Sequence, residues 1–127
     1  MIFGIGTDIV RIQRLRADLE RYGERFARRI LADEELVEFR QAAQQAHFLA
    51  KRFAAKEAVV KALGTGFRAG ISLHDIAVGH DDRGKPLLVF SERLITYLAE
   101  RGVADGGHLS LSDEQEYAVA FVVLERM

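Results

Sequence analysis

Two carboxylates in this chain have surroundings that call for a partner. Asp8 follows Gly4 and Gly6 in the stretch GIGTD, and Glu57 stands in FAAKEAVVKALGTG, Phe53 to Gly66, with Lys61 one helical turn later. On a helix drawn at about 100° per residue with Phe53 at zero, Val60 falls near about −20°, Leu49 near about −40° and Glu57 near about +40°. The sequence therefore places Glu57 on the apolar stripe. An unpaired carboxylate there loses its hydration or goes neutral. Lys61 is the local partner, but an exposed pair at this spacing contributes only about 0.3–0.5 kcal/mol. A hard divalent cation satisfies carboxylates outright, and Mg²⁺ is held by one or two of them together with substrate phosphates and water. From the residues alone two readings stay open. One is a metal–phosphate site on Asp8 and Glu57; the other is a buried ion pair for Glu57 and a strand-end turn for Asp8.

The elements that must position these groups follow from periodicity. Phe3, Ile5, Thr7 and Ile9 alternate with Gly4, Gly6 and Asp8, the pattern of a strand over residues 2–10 with Asp8 at its end. Glycine inside a strand marks close approach by a ligand or by another backbone. A basic amphipathic helix is expected over 11–22, with Ile12, Leu15 and Leu19 on one face and Gly23 ending it. Residues 26–31 are ambiguous. Asp33 is the expected N-cap of a helix running to about Gln44. The long helix starts near Ala46 and stops near Gly64. Period two then returns: a strand around Ile76 and Val78, a turn at 81–85, a strand from Pro86 to Phe90, a Ser91-capped helix closed by Gly102, and a hairpin of 108–112 with 117–124. Strands and helices mix without a βαβ rhythm, so the expected class is α+β, one domain over 1–127, with a largely antiparallel sheet packed on the long helix. GIGTD lacks the third glycine of a dinucleotide fingerprint, and the Gly-Thr-Gly run follows a helix instead of opening one, so neither is a phosphate loop of known type.

The whole chain narrows the classes further. Its 127 residues contain no cysteine, which excludes disulfide frameworks and thiolate chemistry. The short apolar N-terminus carries Asp8 and lacks a basic leader, and no apolar run approaches the roughly 20 residues of a membrane span, so a cytoplasmic protein with no membrane partner is expected. The net charge is −1, but residues 11–29 hold seven arginines against three acids, and residues 51–68 hold five cations against Glu57 alone. Such segments suit a polyanionic partner or form solvated helix faces. A nucleic-acid-binding module is one rival reading. It leaves Asp8 and Glu57 unexplained, and the chain has no tryptophan and no matching motif. A non-catalytic interaction domain is the other.

GIGTDIV (4–10) and FLAKRFAAKEAVVKALGTG (48–66), with GKP (84–86) and HLSLSDEQEYAVAFVVLE (108–125), resemble the small single-domain 4′-phosphopantetheinyl transferases that act as holo-acyl-carrier-protein synthases. The resemblance spans essentially the whole chain in order. It departs at Asp113, where many relatives have histidine after the paired serines. The resemblance implies transfer of the 4′-phosphopantetheine arm of coenzyme A to a serine of apo acyl carrier protein, with release of adenosine 3′,5′-bisphosphate, activating the carrier for fatty acid biosynthesis. It implies Asp8 and Glu57 as Mg²⁺ ligands, Glu57 (directly or through a water) as acceptor of the serine proton, and Lys61 at the phosphate oxygens. It places Gly64, Thr65 and Gly66 close to the nucleotide, Lys85 and Pro86 at its adenine or ribose end, and His108 at a 3′-phosphate. For His108 the alternative is an ordinary strand residue beside Ser110 and Ser112. His47, His74 and His80 have no ligand spacing. Arg14 and Arg21 would receive the acidic helix of the carrier protein. Relatives of this size are homotrimers with the site between subunits.

Overall fold

A computed structural model describes all 127 residues. In chain order the elements are β1 (Ile2–Arg11), α1 (Ile12–Tyr22), α2 (Glu24–Ile30), α3 (Asp33–Gln41), α4 (Gln45–Leu63), a 3₁₀ turn (Leu73–Asp75), β2 (Ile76–His80), β3 (Pro86–Phe90), α5 (Glu92–Ala99), β4 (His108–Asp113) and β5 (Tyr117–Glu125). The strands form two antiparallel sheets, β1-β5-β4 and β2-β3, where the sequence suggested one. The class is α+β, as expected.

Helix α4 is the axis of the molecule. Its alanines and valines, Ala50, Ala54, Ala55, Ala58, Val59 and Val60, are buried on nearly every side. Small side chains let a strand backbone lie directly against the helix, and Gly4 and Gly6 complete that fit. A Cβ on Gly4 would overlap the carbonyl oxygen of Ala62, and one on Gly6 would overlap that of Ala58. The glycines of GIGTD are therefore explained by a second backbone and not by a ligand. The helix ends where expected, with Gly64 left-handed at φ 80° and its N–H bonded to the carbonyls of Val60 and Lys61, both at 3.0 Å.

Four local expectations need correction. Asp8 does not end β1, which continues to Arg11 with Asp8 opposite Ala120. Asp33 is the first residue of α3 and not its cap; Ala32 holds the cap position, and its N–H is taken by the Glu35 side chain at 2.9 Å. The helix also stops at Gln41, three residues early. Glu57 is not fully inside an apolar stripe either. Phe53 and Glu57 are half-buried and Lys61 is exposed along one edge of α4, while the side chains sunk in the core are those of Lys56 and Arg52. A heptad-like count cannot rank faces on a helix that is apolar all round.

Lys56 and Glu35 are both fully buried, with Nζ 2.6 Å from Glu35 Oε1 and 2.6 Å from the carbonyl of Ile30. Glu35 Oε2 accepts the N–H of Val78 at 3.0 Å, and Arg52 Nε lies 3.5 Å away. One carboxylate thus ties α3 to α4 and β2. Burial pulls the Lys56 ammonium down from the ordinary lysine range, against the upward pull of Glu35. A second knot forms around Asp75, just before β2. Burial alone would raise the Asp75 carboxyl, but hydrogen bonds from Arg93, the Ser72 N–H and the Ser91 hydroxyl hold it down at about 2. Arg93 also donates to the Gly70 carbonyl at 2.6 Å, fixing the loop that leaves α4.

Candidate active site

The contact of Gly6 with Ala58 sets α4 across β1 so that the next inward-facing strand residue, Asp8, lies beside the turn of α4 that holds Glu57 and Lys61. Asp8 has a side chain only 14% exposed, and its Oδ1 accepts a hydrogen bond from Lys61 Nζ at 2.9 Å. The same ammonium donates to the carbonyl of Thr7 at 3.1 Å. Lys61 therefore pairs with the strand carboxylate and not with Glu57, its neighbour one turn back.

Glu57 is half-buried and makes no hydrogen bond or ion pair. Burial raises its carboxyl above the ordinary glutamate range, the Asp8 charge raises it further, and Lys61 and then Arg14 pull it back. Two facts follow. Asp8 and Glu57 are close enough to repel, and α1 brings Arg14 within electrostatic reach of the pair. The α1 contribution was missed in the sequence; the signal was the immediate start of that helix after Arg11, which leaves Arg14 one turn from the end of β1.

No cluster of three or more His, Asp or Glu side chains capable of holding a metal occurs in the chain. Two mutually repelling carboxylates, one with an uncommitted oxygen pair, are nevertheless a fitting donor set for a hard cation that completes its shell with water and phosphate oxygens. The donor chemistry fits Mg²⁺.

The remaining residues expected at the site are dispersed. Gly64 and Gly66 have positive φ just beyond Lys61, and the Thr65 hydroxyl donates to the Gly66 carbonyl at 2.8 Å. Lys85 is exposed at the end of the β2–β3 turn, where its N–H bonds Asp81 Oδ1 at 2.9 Å, and Pro86 opens β3 opposite His80. Arg14 and Arg21 are exposed on α1, the latter 5.2 Å from the ring centre of Tyr22. His108 is exposed and pairs with Glu125 Oε1 at 2.9 Å. The register sets it opposite Val123, which is opposite Ile5, so His108 shares the face of Ile5 and Ile9 and lies across the sheet from Asp8. Within one chain His108 cannot join the Asp8 site. His74 bonds the Arg28 carbonyl at 2.6 Å and plays no part there.

The model of the 4′-phosphopantetheinyl transferase superfamily matches residues 4–122. A holo-[acyl-carrier-protein] synthase of Azoarcus sp. (strain BH72) is 57% identical over 125 residues, 98% of each chain. The crystal structure of a holo-[acyl-carrier-protein] synthase from Neisseria meningitidis superposes with a TM-score of 0.93 at 48% identity, covering 99% of this chain and 100% of that one. A holo-(acyl-carrier-protein) synthase from Bacillus anthracis, solved in complex with CoA (3′,5′-ADP), superposes with a TM-score of 0.81 at 40% identity, covering 100% and 99%. Agreement of sequence and fold along nearly the entire length of both partners settles the matter: this chain belongs to the 4′-phosphopantetheinyl transferase superfamily, among its holo-acyl-carrier-protein synthases.

Proposed function

We propose that residues 1–127 act as one transferase domain that moves the 4′-phosphopantetheine arm of coenzyme A onto a serine of apo acyl carrier protein, with Asp8 and Glu57 holding a Mg²⁺ ion. The observation that carries the site assignment is the unpartnered, half-buried carboxylate of Glu57 beside Asp8. When bound, the ion would neutralise pyrophosphate charge and polarise the phosphoryl group. The chain's own groups do the rest. Glu57, directly or through a water, is placed to accept the proton of the carrier serine as the serine oxygen bonds to phosphorus. Lys61 supplies an ammonium for the phosphate oxygens as the bond to adenosine 3′,5′-bisphosphate breaks. Gly64, Thr65 and Gly66 let the backbone pass near the nucleotide, with Lys85 and Pro86 at its far end.

The exposed arginines of α1, Arg14 and Arg21, offer a positive face for an acidic helix, and such complementarity mainly speeds encounter. A homotrimer is part of the proposal. What supports an assembly is the outer face of the β1-β5-β4 sheet, where Ile5 is 60% and Ile9 64% exposed beside Val119 and Phe121. For His108 to reach a 3′-phosphate, the Asp8 site of a neighbour in that assembly would have to lie beside it. No helix is long and apolar enough to cross a membrane, and the proposed place of action is the cytoplasm.

The test is incubation of the protein with apo carrier protein, coenzyme A and Mg²⁺, reading the mass of the carrier. Addition of the phosphopantetheine arm is expected, and its reversible loss with EDTA. Undiminished transfer in excess chelator overturns the metal assignment. Reversing Arg14 and Arg21 to glutamate should raise KM for the carrier and leave that for coenzyme A nearly unchanged. Sedimentation of a fully active monomer would rule out a shared site.

A further inference from the structure

The contact between Lys61 and Asp8 has a consequence for how the site loads. Lys61 is 52% exposed on a flexible stem, yet its ammonium is set 2.9 Å from Asp8 Oδ1 and anchored by the Thr7 carbonyl. Glu57, on the same edge of the same helix, receives nothing. The pair of carboxylates is therefore unevenly neutralised: one already carries a positive charge and the other is bare. Asp8 Oδ2 is left free, and a divalent cation held there and by Glu57 would stand within a few ångström of the like charge of the ammonium on Oδ1. A lysine head on four methylenes leaves more cheaply than it tolerates that repulsion.

We propose that Lys61 is an exchangeable counter-ion of Asp8, so that binding of a divalent cation and departure of Lys61 from Asp8 are one coupled event. This rests on the reading of Asp8 and Glu57 as the metal ligands. The freed ammonium is then available to a substrate phosphate, which makes the cation and a pyrophosphate-bearing substrate bind with positive coupling. Lys61 thus acts before any chemistry, by holding Asp8 neutralised until the cation and the phosphate arrive.

Mn²⁺ serves as the probe, with free ion measured by electron paramagnetic resonance on wild type, Lys61→Met, Arg14→Met, Asp8→Asn and Glu57→Gln, with and without saturating coenzyme A. Circular dichroism confirms that each variant is folded. Without coenzyme A, Lys61→Met is expected to bind Mn²⁺ about fivefold more tightly than wild type, the size of one part-exposed charged pair. Arg14→Met, which removes a nearby charge that touches neither carboxylate, should change affinity less than about twofold. With coenzyme A the advantage of Lys61→Met should vanish or reverse, because the wild-type lysine has moved to phosphate. Equal or weaker binding by Lys61→Met without coenzyme A, equal tightening in Arg14→Met, or an advantage that persists unchanged with coenzyme A each overturns the exchange while leaving the metal site standing. Mn²⁺ binding that is undetectable in both wild type and Lys61→Met, or unaffected by Asp8→Asn and Glu57→Gln, overturns the metal reading itself and the exchange with it.

Discussion

Helix α4 carries two lysine–carboxylate pairs about 140° apart on its surface, and they follow opposite rules. Lys56 and Glu35 are sealed in the core, and both oxygens of Glu35 are committed, to Lys56 and the Ala32 N–H on one side and to the Val78 N–H and Arg52 on the other. Lys61 and Asp8 lie at the open edge, and the adjacent Glu57 has no partner at all. A charge sunk in the core must be satisfied by the protein itself, because nothing else can reach it. A half-exposed carboxylate can be left unsatisfied at modest cost, and it keeps its affinity for a ligand. On the proposed function, the difference separates a charge that builds the fold from one that is held for a substrate.

The widest gap between the two pairs should be in stability. Lys56→Met leaves Glu35 buried beside a lost donor and should cost about 3–5 kcal/mol, whereas Lys61→Met should stay within about 1 kcal/mol of wild type, both read from urea unfolding. Equal costs would erase the distinction. Activity should show the reverse. Asp8→Ala or Glu57→Ala should lower kcat/KM for transfer by about 10²–10³-fold with the fold intact, an effect comparable to removing a preorganised electrostatic group.

Asp75 extends the comparison to a third carboxylate, one saturated like Glu35. Its pKa is depressed to about 2, so its stabilisation is present above the ordinary aspartate range and is lost as pH falls through about 2. The advantage of wild type over Asp75→Asn should be on the order of 1–2 kcal/mol at neutral pH and shrink toward zero in strong acid. A pH-independent difference would assign the effect to shape instead of charge.

Glu57 should show the smallest effect, with the opposite sign. Its folded pKa is raised, so the native state binds more protons than the unfolded chain across the window above the ordinary glutamate value, and stability falls as pH rises through it. Glu57→Gln should therefore be slightly more stable than wild type near neutral pH, by less than about 1 kcal/mol, with the gain gone in acid where both states are protonated. A loss of stability at neutral pH would mean that Glu57 has a structural partner after all.

What the sequence determined by itself was local chemistry and local period. The alternation through GIGTD, the glycine stop after Leu63, the Ser91 cap and the 108–125 hairpin depend on neighbours a few residues apart, and all are present. The motifs also sufficed to single out Asp8, Glu57 and Lys61 as candidates and to give the family. Tertiary structure decided who pairs with whom. Lys61 passes over Glu57 for Asp8, 53 positions away, because the Gly6–Ala58 contact draws β1 against α4. Glu35 and Lys56, 21 positions apart, become a buried pair only when α3 folds onto α4. His108 is set on the far side of the sheet from Asp8 by strand register, which no single strand encodes. Periodicity tells each residue which face it occupies; only packing across the chain decides what that face meets.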